Sequence, residues 1–249
     1  VEHDPPIDRV LHSGVVRQIV QFCKQTHSLQ LLHEAVWIIS NLCRSVSQTL
    51  TVVSYGVIPL LVRLLDHPVP DIQQNAFLAI GNIAGEGGQL QKLCLNQNVL
   101  QRMIPISHCK GTALETLRTL SLTLGNLLRD PMQNINLQNF EIGLKICKNL
   151  LLDNRSKYNQ GNKFNMACYG FIRGNYGKCQ PFPACLSEVI LKFYDAMDVE
   201  LVANACWSLA HLVEYDFDET MDGNQTLQLI AEYEVIPILM QLLHNETDL

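Results

Sequence analysis

The sequence predicts an all-α fold, a right-handed α-solenoid built from stacked helical repeats. Its 249 residues are 47% hydrophobic but only 7% aromatic, which favours aliphatic helix packing over a β-sandwich. Three apolar segments each end in asparagine, and Asn41, Asn82 and Asn126 lie 41 and 44 residues apart. Self-similarity with a period of about 42 residues is typical of armadillo or HEAT repeats. A solenoid exposes one long surface, so the chain is expected to bind a partner rather than to convert a substrate.

Each repeat is predicted to contain a helix, a tight break and a longer helix. The predicted pairs span residues 14–22 and 29–43, 56–65 and 71–84, and 99–106 and 112–127. Pro59 is compatible with the first turn of its helix, where a missing N–H costs little. His67 to Pro70 forces the connection out of helix, and Asp71 is the expected cap of the helix that follows.

The second half of the chain is less regular. Further helices are predicted at residues 140–152, 185–197 and 199–214, with a polar, loop-like stretch at 153–163. Residues 235–243 repeat the opening of the second repeat and have no partner helix after them. The sequence is therefore expected to stop within a repeat, which leaves an apolar face uncovered.

One interval between repeats is too long. From Asn126 to His211, which occupies the next asparagine position, is 85 residues, about two periods. One explanation is a single repeat with an insertion of about 40 residues; the other is an extra, decayed repeat with Tyr169 and Arg173 at its motif positions. Helix-like segments in the right places favour the second. We expect one solenoid fragment over residues 1–249, with about five to six repeats and the irregularity around 153–197.

Composition excludes several classes of function. No run of about 18 uncharged apolar residues occurs, so no transmembrane helix is expected. The N-terminus lacks the pattern of a signal peptide and reads as an internal cut. The net charge of −6 disfavours nucleic-acid binding and suits a basic partner. No phosphate loop, catalytic triad or metal-ligand spacing is present, so the chain is not expected to be an enzyme.

The nine cysteines are expected to be reduced, and several of them buried, as in a cytoplasmic or nuclear protein. The alternative is a zinc site built from Cys168, Cys179 and Cys185. Their irregular spacing and the lack of a Cys-x-x-Cys pair disfavour it. No metal or other cofactor is predicted.

A specific resemblance begins at Trp37, which lies four residues before Asn41 and therefore on the same helix face. The segments DPPIDRVLHSGVV (4–16), EAVWIISN (34–41) and AIGNIAGE (79–86) resemble the armadillo domain of the importin-alpha (karyopherin-alpha) family, the adaptors of nuclear import. The resemblance is close up to Glu86, weaker at residues 126–130, and returns at 205–209.

The resemblance implies an extended cargo peptide that carries a basic nuclear-localisation signal and lies in a concave groove. In that family, asparagines bond the peptide main chain, since an amide offers both a donor and an acceptor. Tryptophans pack on lysine and arginine stems and attract their charge, and acidic residues pair with the charged groups. It also implies a cytoplasmic and nuclear location. Importin-beta enters as a further partner only through a basic segment that is absent from this chain.

Carried over residue by residue, the resemblance assigns the asparagine ladder to Asn41, Asn82 and Asn126. It assigns the first indole to Trp37 and the lysine-pairing carboxylate to Glu86. Thr49 matches a threonine of the same pocket if one residue is deleted nearby. The competing interpretation of Asn82 and Asn126 is that they cap helix ends. The apolar residues that follow each of them predict that the helix continues, which favours the ladder.

The departures from the family pattern affect side-chain selection. Leu78 and Leu122 occupy the next two tryptophan positions, and Gln74 and Asn75 replace a glutamate–glutamine pair. Two missing cation–π contacts, at about 1 kcal/mol each, predict affinity for a plain basic signal that is roughly 10- to 100-fold lower. The predicted peptide-binding residues are Trp37, Asn41, Thr49, Asn75, Leu78, Asn82, Glu86, Leu122, Asn126 and Trp207.

Two further interpretations stay open at this point. The chain is either an adaptor for basic signals or a diverged armadillo scaffold that binds a different extended segment and is not a general import receptor. Leu78 and Leu122 motivate the second. Residues 214–223 hold five carboxylates, which form either a solvated loop or an acidic rim that attracts a basic partner.

Overall fold

The computed structural model describes residues 7–43, 45–129 and 136–151, together with four positions between 231 and 240. The described part is helical and contains no β-strand, which confirms the all-α prediction. Its helices are α1 (Ile7–His12), α2 (Val15–Gln25), α3 (Leu29–Leu42), α4 (Val46–Ser54), α5 (Val57–Leu64), α6 (Pro70–Gly85), α7 (Gly88–Leu95), α8 (Val99–His108), α9 (Leu114–Leu128) and α10 (Leu137–Leu151).

Each repeat contains three helices, and the prediction of two helices per repeat was wrong. The repeats are α1–α3, α4–α6 and α7–α9, and each predicted pair is preceded by a short helix of 6 to 9 residues. In the second repeat the short helix α4 meets α5 at 82°. Gly56 makes that corner with a φ of 77°, a left-handed conformation that glycine adopts without steric cost.

The start of α6 differs from the prediction in one detail. Val69 is the residue before the helix and Pro70 is its first residue, so Asp71 lies within the first turn and does not cap it. Its carboxylate is still favourably placed, because the first turn is the positive end of the helix dipole. Pro59 lies in the first turn of α5, as predicted.

The third helices of the repeats form the central stack of the described part. Helix α3 packs against α6, and α6 packs against α9, so the third helices of successive repeats stack side by side. The side chains of Ile39, Phe77 and Leu120 are fully buried in this stack. Helix α10 packs mainly on α8, the second helix of the third repeat, and less on α9. The three third helices therefore place matching sequence positions in one row along the solenoid.

Several sequence-based predictions fall outside the described residues. They are the helices at 185–197 and 199–214, the choice between insertion and decayed repeat around 153–197, the acidic segment 214–223, Trp207, and the proposed zinc ligands Cys168, Cys179 and Cys185.

Within the described ranges no single helix has the length and apolar character needed to cross a membrane; α4 and α5, a pair bent by 82°, satisfy that test together by length and composition only.

Candidate functional site

Matching positions on the three stacked helices carry the predicted groove residues. Trp37 on α3 is 49% exposed, and Leu78 on α6 and Leu122 on α9 are partly exposed at the equivalent positions. An asparagine follows each of them by one helical turn. The structure thus brings six of the predicted residues into two parallel rows that run from repeat to repeat: Trp37, Leu78 and Leu122 in one, and Asn41, Asn82 and Asn126 in the other.

The asparagine row also joins the repeats, which the sequence did not reveal. Asn82 Nδ2 donates to the carbonyl oxygen of Ser40 at 2.9 Å, and Asn126 Nδ2 donates to that of Gly81 at 2.9 Å. Asn41 has no earlier repeat in the described chain, and its Nδ2 donates to Trp37 within its own helix at 3.0 Å.

Each asparagine keeps part of its hydrogen-bonding capacity. An amide has two N–H donors and a carbonyl acceptor, and the contacts above use one donor. Among the described residues no hydrogen bond reaches Oδ1 of Asn41, Asn82 or Asn126. Toward the described residues, one donor and one acceptor of each amide therefore stay unused. The capping interpretation is wrong for Asn82 and Asn126, because α6 continues to Gly85 and α9 to Leu128.

Glu86, Thr49 and Cys43 converge beside this row from three elements. Glu86 follows the last residue of α6, Thr49 lies on α4, and Cys43 directly follows α3. Burial raises the pKa of the Cys43 thiol to about 12. The Thr49 hydroxyl acts in the opposite direction on that pKa, and the negative charge of Glu86 raises it further. Both residues are therefore close to the thiol, although Thr49 Oγ1 makes no hydrogen bond of ordinary geometry with the described residues.

The Glu86 carboxylate has no cationic partner among the residues that the structure describes. Its side chain is partly exposed, and no lysine, arginine or histidine of the described ranges forms an ion pair with it. Arg129 lies nearby, since its guanidinium donates to the carbonyl of Gly85. A carboxylate that no described cation pairs with is a suitable partner for a ligand ammonium or guanidinium group.

Two predicted contact residues are turned away from the open surface. Asn75 is only 8% exposed, and its Nδ2 has no hydrogen-bond partner among the described residues. It shares a helix face with Ile72 and Ala79, both fully buried, which points it at the preceding repeat. Thr49 is fully buried, so its side chain is not on the surface that a ligand could reach.

One turn before the Trp37 row, the third repeat carries a cation where the second repeat carries a neutral side chain. Gln74 and Arg118 occupy equivalent positions, one turn before Leu78 and Leu122. Arg118 Nη1 lies 2.8 Å from Glu115 Oε2, so a cation held by a carboxylate lies next to Leu122. Arg118 was not among the residues predicted from the sequence, although the spacing of Arg118 from Leu122 was a signal that could have identified it.

The described residues offer little for other chemistry. No group of three or more histidine, cysteine, aspartate or glutamate side chains among them could hold a metal ion. Cys23, Cys43 and Cys94 are buried thiols, as predicted. Burial raises the pKa of Cys23 to about 11 and that of Cys94 to about 12, so these thiols are protonated near neutral pH.

Comparison with known proteins agrees with this architecture. The model of the Armadillo/beta-catenin-like repeat matches residues 3–44 and 45–85, the first two structural repeats. The chain is 27% identical over 247 residues to importin subunit alpha-1b of Oryza sativa subsp. japonica, which covers 98% of this chain and 36% of that protein. It thus spans about a third of the length of this curated relative.

Solved structures with the same fold include designed proteins. A designed armadillo repeat protein superposes with a TM-score of 0.73 at 22% identity, over 91% of each chain. Another, solved in complex with the peptide (KR)4, gives a TM-score of 0.55 at 16% identity, over 91% of this chain and 84% of that one. At these identities the likeness establishes the fold, an armadillo solenoid.

Proposed function

Because this chain is a diverged, importin-alpha-like armadillo-repeat protein, we propose that it binds an extended peptide segment of a partner protein along α3, α6 and α9. We place a lysine or arginine of that segment between Trp37 and Glu86. The observation that carries the proposal is a partly exposed row of asparagine amides with donors and acceptors that no described residue uses, beside a carboxylate that no described cation pairs with.

The asparagines would hold the main chain of the peptide. An extended segment has no strand partner here, so its N–H and C=O groups need donors and acceptors at regular intervals. Asn82 and Asn126 are fixed in orientation by their bonds to the preceding repeat. A fixed amide loses little conformational freedom on binding, which favours affinity. These main-chain hydrogen bonds do not depend on the peptide's side chains.

Trp37 and Glu86 would select a basic side chain. An indole attracts a cation by roughly 0.5–1 kcal/mol when exposed and about 2 kcal/mol when desolvated. Glu86 adds a charge-assisted contact to the ammonium or guanidinium group. The apolar stem of the ligand side chain packs on the exposed ring.

The finer proposal is an adaptor role in nuclear import. The basic segment would then be the nuclear-localisation signal of a cargo protein, the chain would act in the cytoplasm and the nucleus, and importin-beta would bind elsewhere in the full protein. The relatives named importin subunit alpha support this role. A designed armadillo protein solved with (KR)4 supports the compatibility of the fold with a basic peptide.

The experiment is a calorimetric titration of a short lysine-rich peptide into the 249-residue chain. We expect saturable binding in the micromolar range, weakened roughly 10-fold by Glu86→Gln and by Asn82→Ala. Glu141→Gln, an exposed carboxylate on α10, removes the same charge away from the row and should leave the affinity unchanged. Absence of binding, or equal weakening by Glu141→Gln, would sink the proposal.

A second candidate function has its own observation. Leu78 and Leu122 offer no π face, and Arg118 places a cation beside Leu122. The groove would then belong to a scaffold that binds an extended segment with apolar side chains at these positions. A pull-down discriminates the scaffold from the basic-peptide adaptor. If the chain is such a scaffold, the double variant Leu78→Trp with Leu122→Trp gains basic-peptide binding and loses the native partner. If the native partner is retained and basic-peptide binding does not change, this candidate is wrong.

A further inference from the structure

Two opposite charges lie close together at the end of α6 and do not pair with one another. The guanidinium of Arg129, which directly follows α9, donates to the carbonyl oxygen of Gly85, the residue before Glu86. No ion pair joins Arg129 to Glu86, and neither residue has an ion-pair partner elsewhere in the described ranges. One cation and one anion thus lie at the same edge of the groove, and no described residue compensates either charge.

The position of Arg129 follows from the end of α6. The last carbonyls of a helix have no N–H partner within it, and they form the negative end of its dipole, so a cation is favourable there. A guanidinium has five N–H donors, and toward the described residues Arg129 uses one of them. Since Arg129 is exposed, its remaining donors can reach an acidic group outside the chain.

The groove side of α9 carries an arginine at each end. Its residues are spaced four, four and three positions apart, which places them on one helix face: Arg118, Leu122, Asn126 and Arg129. The matching ends on α6 are Gln74 and Gly85, which carry no charge. Glu115 holds Arg118 at 2.8 Å, so Arg129 is the arginine of this face that no described carboxylate holds. The third repeat therefore offers a positive charge to the groove, whereas the second offers Glu86.

We propose that the extended segment bound along α3, α6 and α9 carries an acidic residue close to its basic one, and that Arg129 binds the acidic side chain. The charge of the ligand changes sign along its length, with lysine or arginine at Glu86 and aspartate or glutamate towards α9. Arg129 is then a specificity-determining residue. Its contact with the ligand rests on the proposed function, because it needs the same groove and the same basic residue at Glu86.

The geometry of the stack limits the spacing of the two charges in the ligand. Packed helices lie about 8–10 Å apart, and an extended chain advances by about 3.3 Å per residue. One repeat therefore corresponds to about three ligand residues. Because Arg129 reaches back to the end of α6, the acidic residue is expected within about three residues of the basic one.

The overall charge of the chain predicts the opposite preference. With a net charge of −6, long-range electrostatics disfavour every acidic residue that is added to a ligand. A carboxylate in contact with Arg129 favours binding instead. Salt separates the two effects, since about 0.5 M sodium chloride shortens the Debye length to roughly 4 Å and screens distant charges more than a direct contact.

The test compares two peptides with one lysine each. One carries glutamate at the second and third residues on both sides of the lysine, and its twin carries glutamine at the same four places. In calorimetry at about 0.5 M sodium chloride, the glutamate peptide should bind the 249-residue chain at least about 3-fold more tightly than its twin. Arg129→Gln should abolish this preference, and Arg129→Lys, which keeps the charge, should retain part of it. Arg63→Gln, at an exposed arginine on α5, is the matched control and should leave the preference unchanged.

The ratio of the two affinities distinguishes recognition from a structural role of Arg129, which would weaken both peptides equally. Circular dichroism establishes that each variant is folded. Equal binding of the two peptides by the original chain would overturn the proposal, as would a preference that survives Arg129→Gln or that Arg63→Gln also abolishes. A preference that appears only in the variant Asp130→Asn would overturn it too, by assigning the guanidinium to the next residue of the chain.

The acidic contact and the proposed function can fail separately. If the glutamine twin binds and Glu86→Gln weakens its binding, while the glutamate peptide binds no more tightly, only the contact with Arg129 is wrong. If neither these peptides nor a lysine-rich peptide binds, the proposed function is wrong and the contact with Arg129 is wrong with it.

Discussion

At the residue scale, the asparagine row has a structural role, to which the proposed function adds a binding role. One N–H of Asn82 or Asn126 joins two repeats, and no described residue bonds the amide oxygen of either one. The sequence predicted the row from its spacing, yet the bonds to Ser40 and Gly81 depend on how closely two helices approach, which spacing alone does not specify. Asn75 shows the same limit, because its place in the family pattern suggested the groove while the packing of α6 on α3 buries it.

The structural role predicts a difference between two asparagines. Asn126→Ala should lower the free energy of unfolding by about 1–2 kcal/mol, since the carbonyl of Gly81 loses a partly buried partner. Asn41→Ala removes a bond within one exposed helix and should cost less than about 0.5 kcal/mol. Urea denaturation measures both. Equal losses of unfolding free energy in the two variants would show that the hydrogen bond between repeats is not the source of the loss in Asn126→Ala.

The buried thiols predict a loss of stability at alkaline pH. Burial raises the pKa of both Cys43 and Cys94 from 9.0 to about 12 in the folded protein. Their contribution is therefore fully present below pH 9 and is lost as the pH rises towards 12. Unfolding free energies measured from pH 8 to pH 11 should fall less steeply for Cys43→Ala with Cys94→Ala. The exposed Cys109→Ala is the control, and a slope that the double variant leaves unchanged would contradict this account.

At the element scale, the sequence predicted the long helices and missed the short ones. Helices α3, α6 and α9 were found within about two residues of their ends, because an apolar period of 3.6 is clear over four turns. Helices α1, α4 and α7 have only 6 to 9 residues and show no clear period, whereas α5, with 8 residues, was predicted from its nearly continuous apolar run. The corner between α4 and α5 depends on Gly56, which the sequence marked as a break but not as the junction of two helices.

The close approach of α6 and α9 predicts the effect of one methyl group. Gly81→Ala would gain up to about 1 kcal/mol in a solvated helix. Here its Cβ would meet Thr123 Oγ1 at 2.8 Å, so overpacking of about 1–3 kcal/mol should exceed that gain and lower the melting temperature.

Thr123→Ala provides the test of that mechanism. Alone it should destabilise, because the hydroxyl donates to the carbonyls of Phe77 and Thr119. Combined with Gly81→Ala, the loss should be smaller than the sum of the two single losses, since the clashing atom is gone. If the stability losses of the two single variants are additive, the clash with Thr123 Oγ1 is not the cause of the destabilisation by Gly81→Ala.

At the scale of the whole molecule, the charge balance favours a basic partner. The chain carries a net charge of −6, and the two armadillo matches cover Trp37 and Asn82 and end one residue before Glu86. The helical solenoid could be predicted from period and composition, whereas the three-helix repeat could not. The burial of individual groove residues could not be predicted either, because it depends on how the helices pack, as at Asn75 and Thr49.

This charge predicts a salt dependence of the association rate. Raising sodium chloride from about 0.05 to 0.5 M shortens the Debye length, so the association rate of a lysine-rich peptide should fall several-fold. The dissociation rate should change less, because contacts at close range are screened less. A peptide with glutamine in place of lysine is the control in stopped-flow measurements. An association rate that does not respond to salt would argue against electrostatic attraction.

The proposed function depends most on a contact between Glu86 and a ligand lysine, and a double-mutant cycle measures the energy of that contact. Calorimetry would compare the original chain with Glu86→Gln, each against a peptide with one lysine and against the same peptide with methionine in its place. The account predicts a coupling energy of at least about 1 kcal/mol, with Glu86→Gln weakening only the lysine peptide. A coupling energy near zero, with both peptides weakened equally or neither affected, would contradict it.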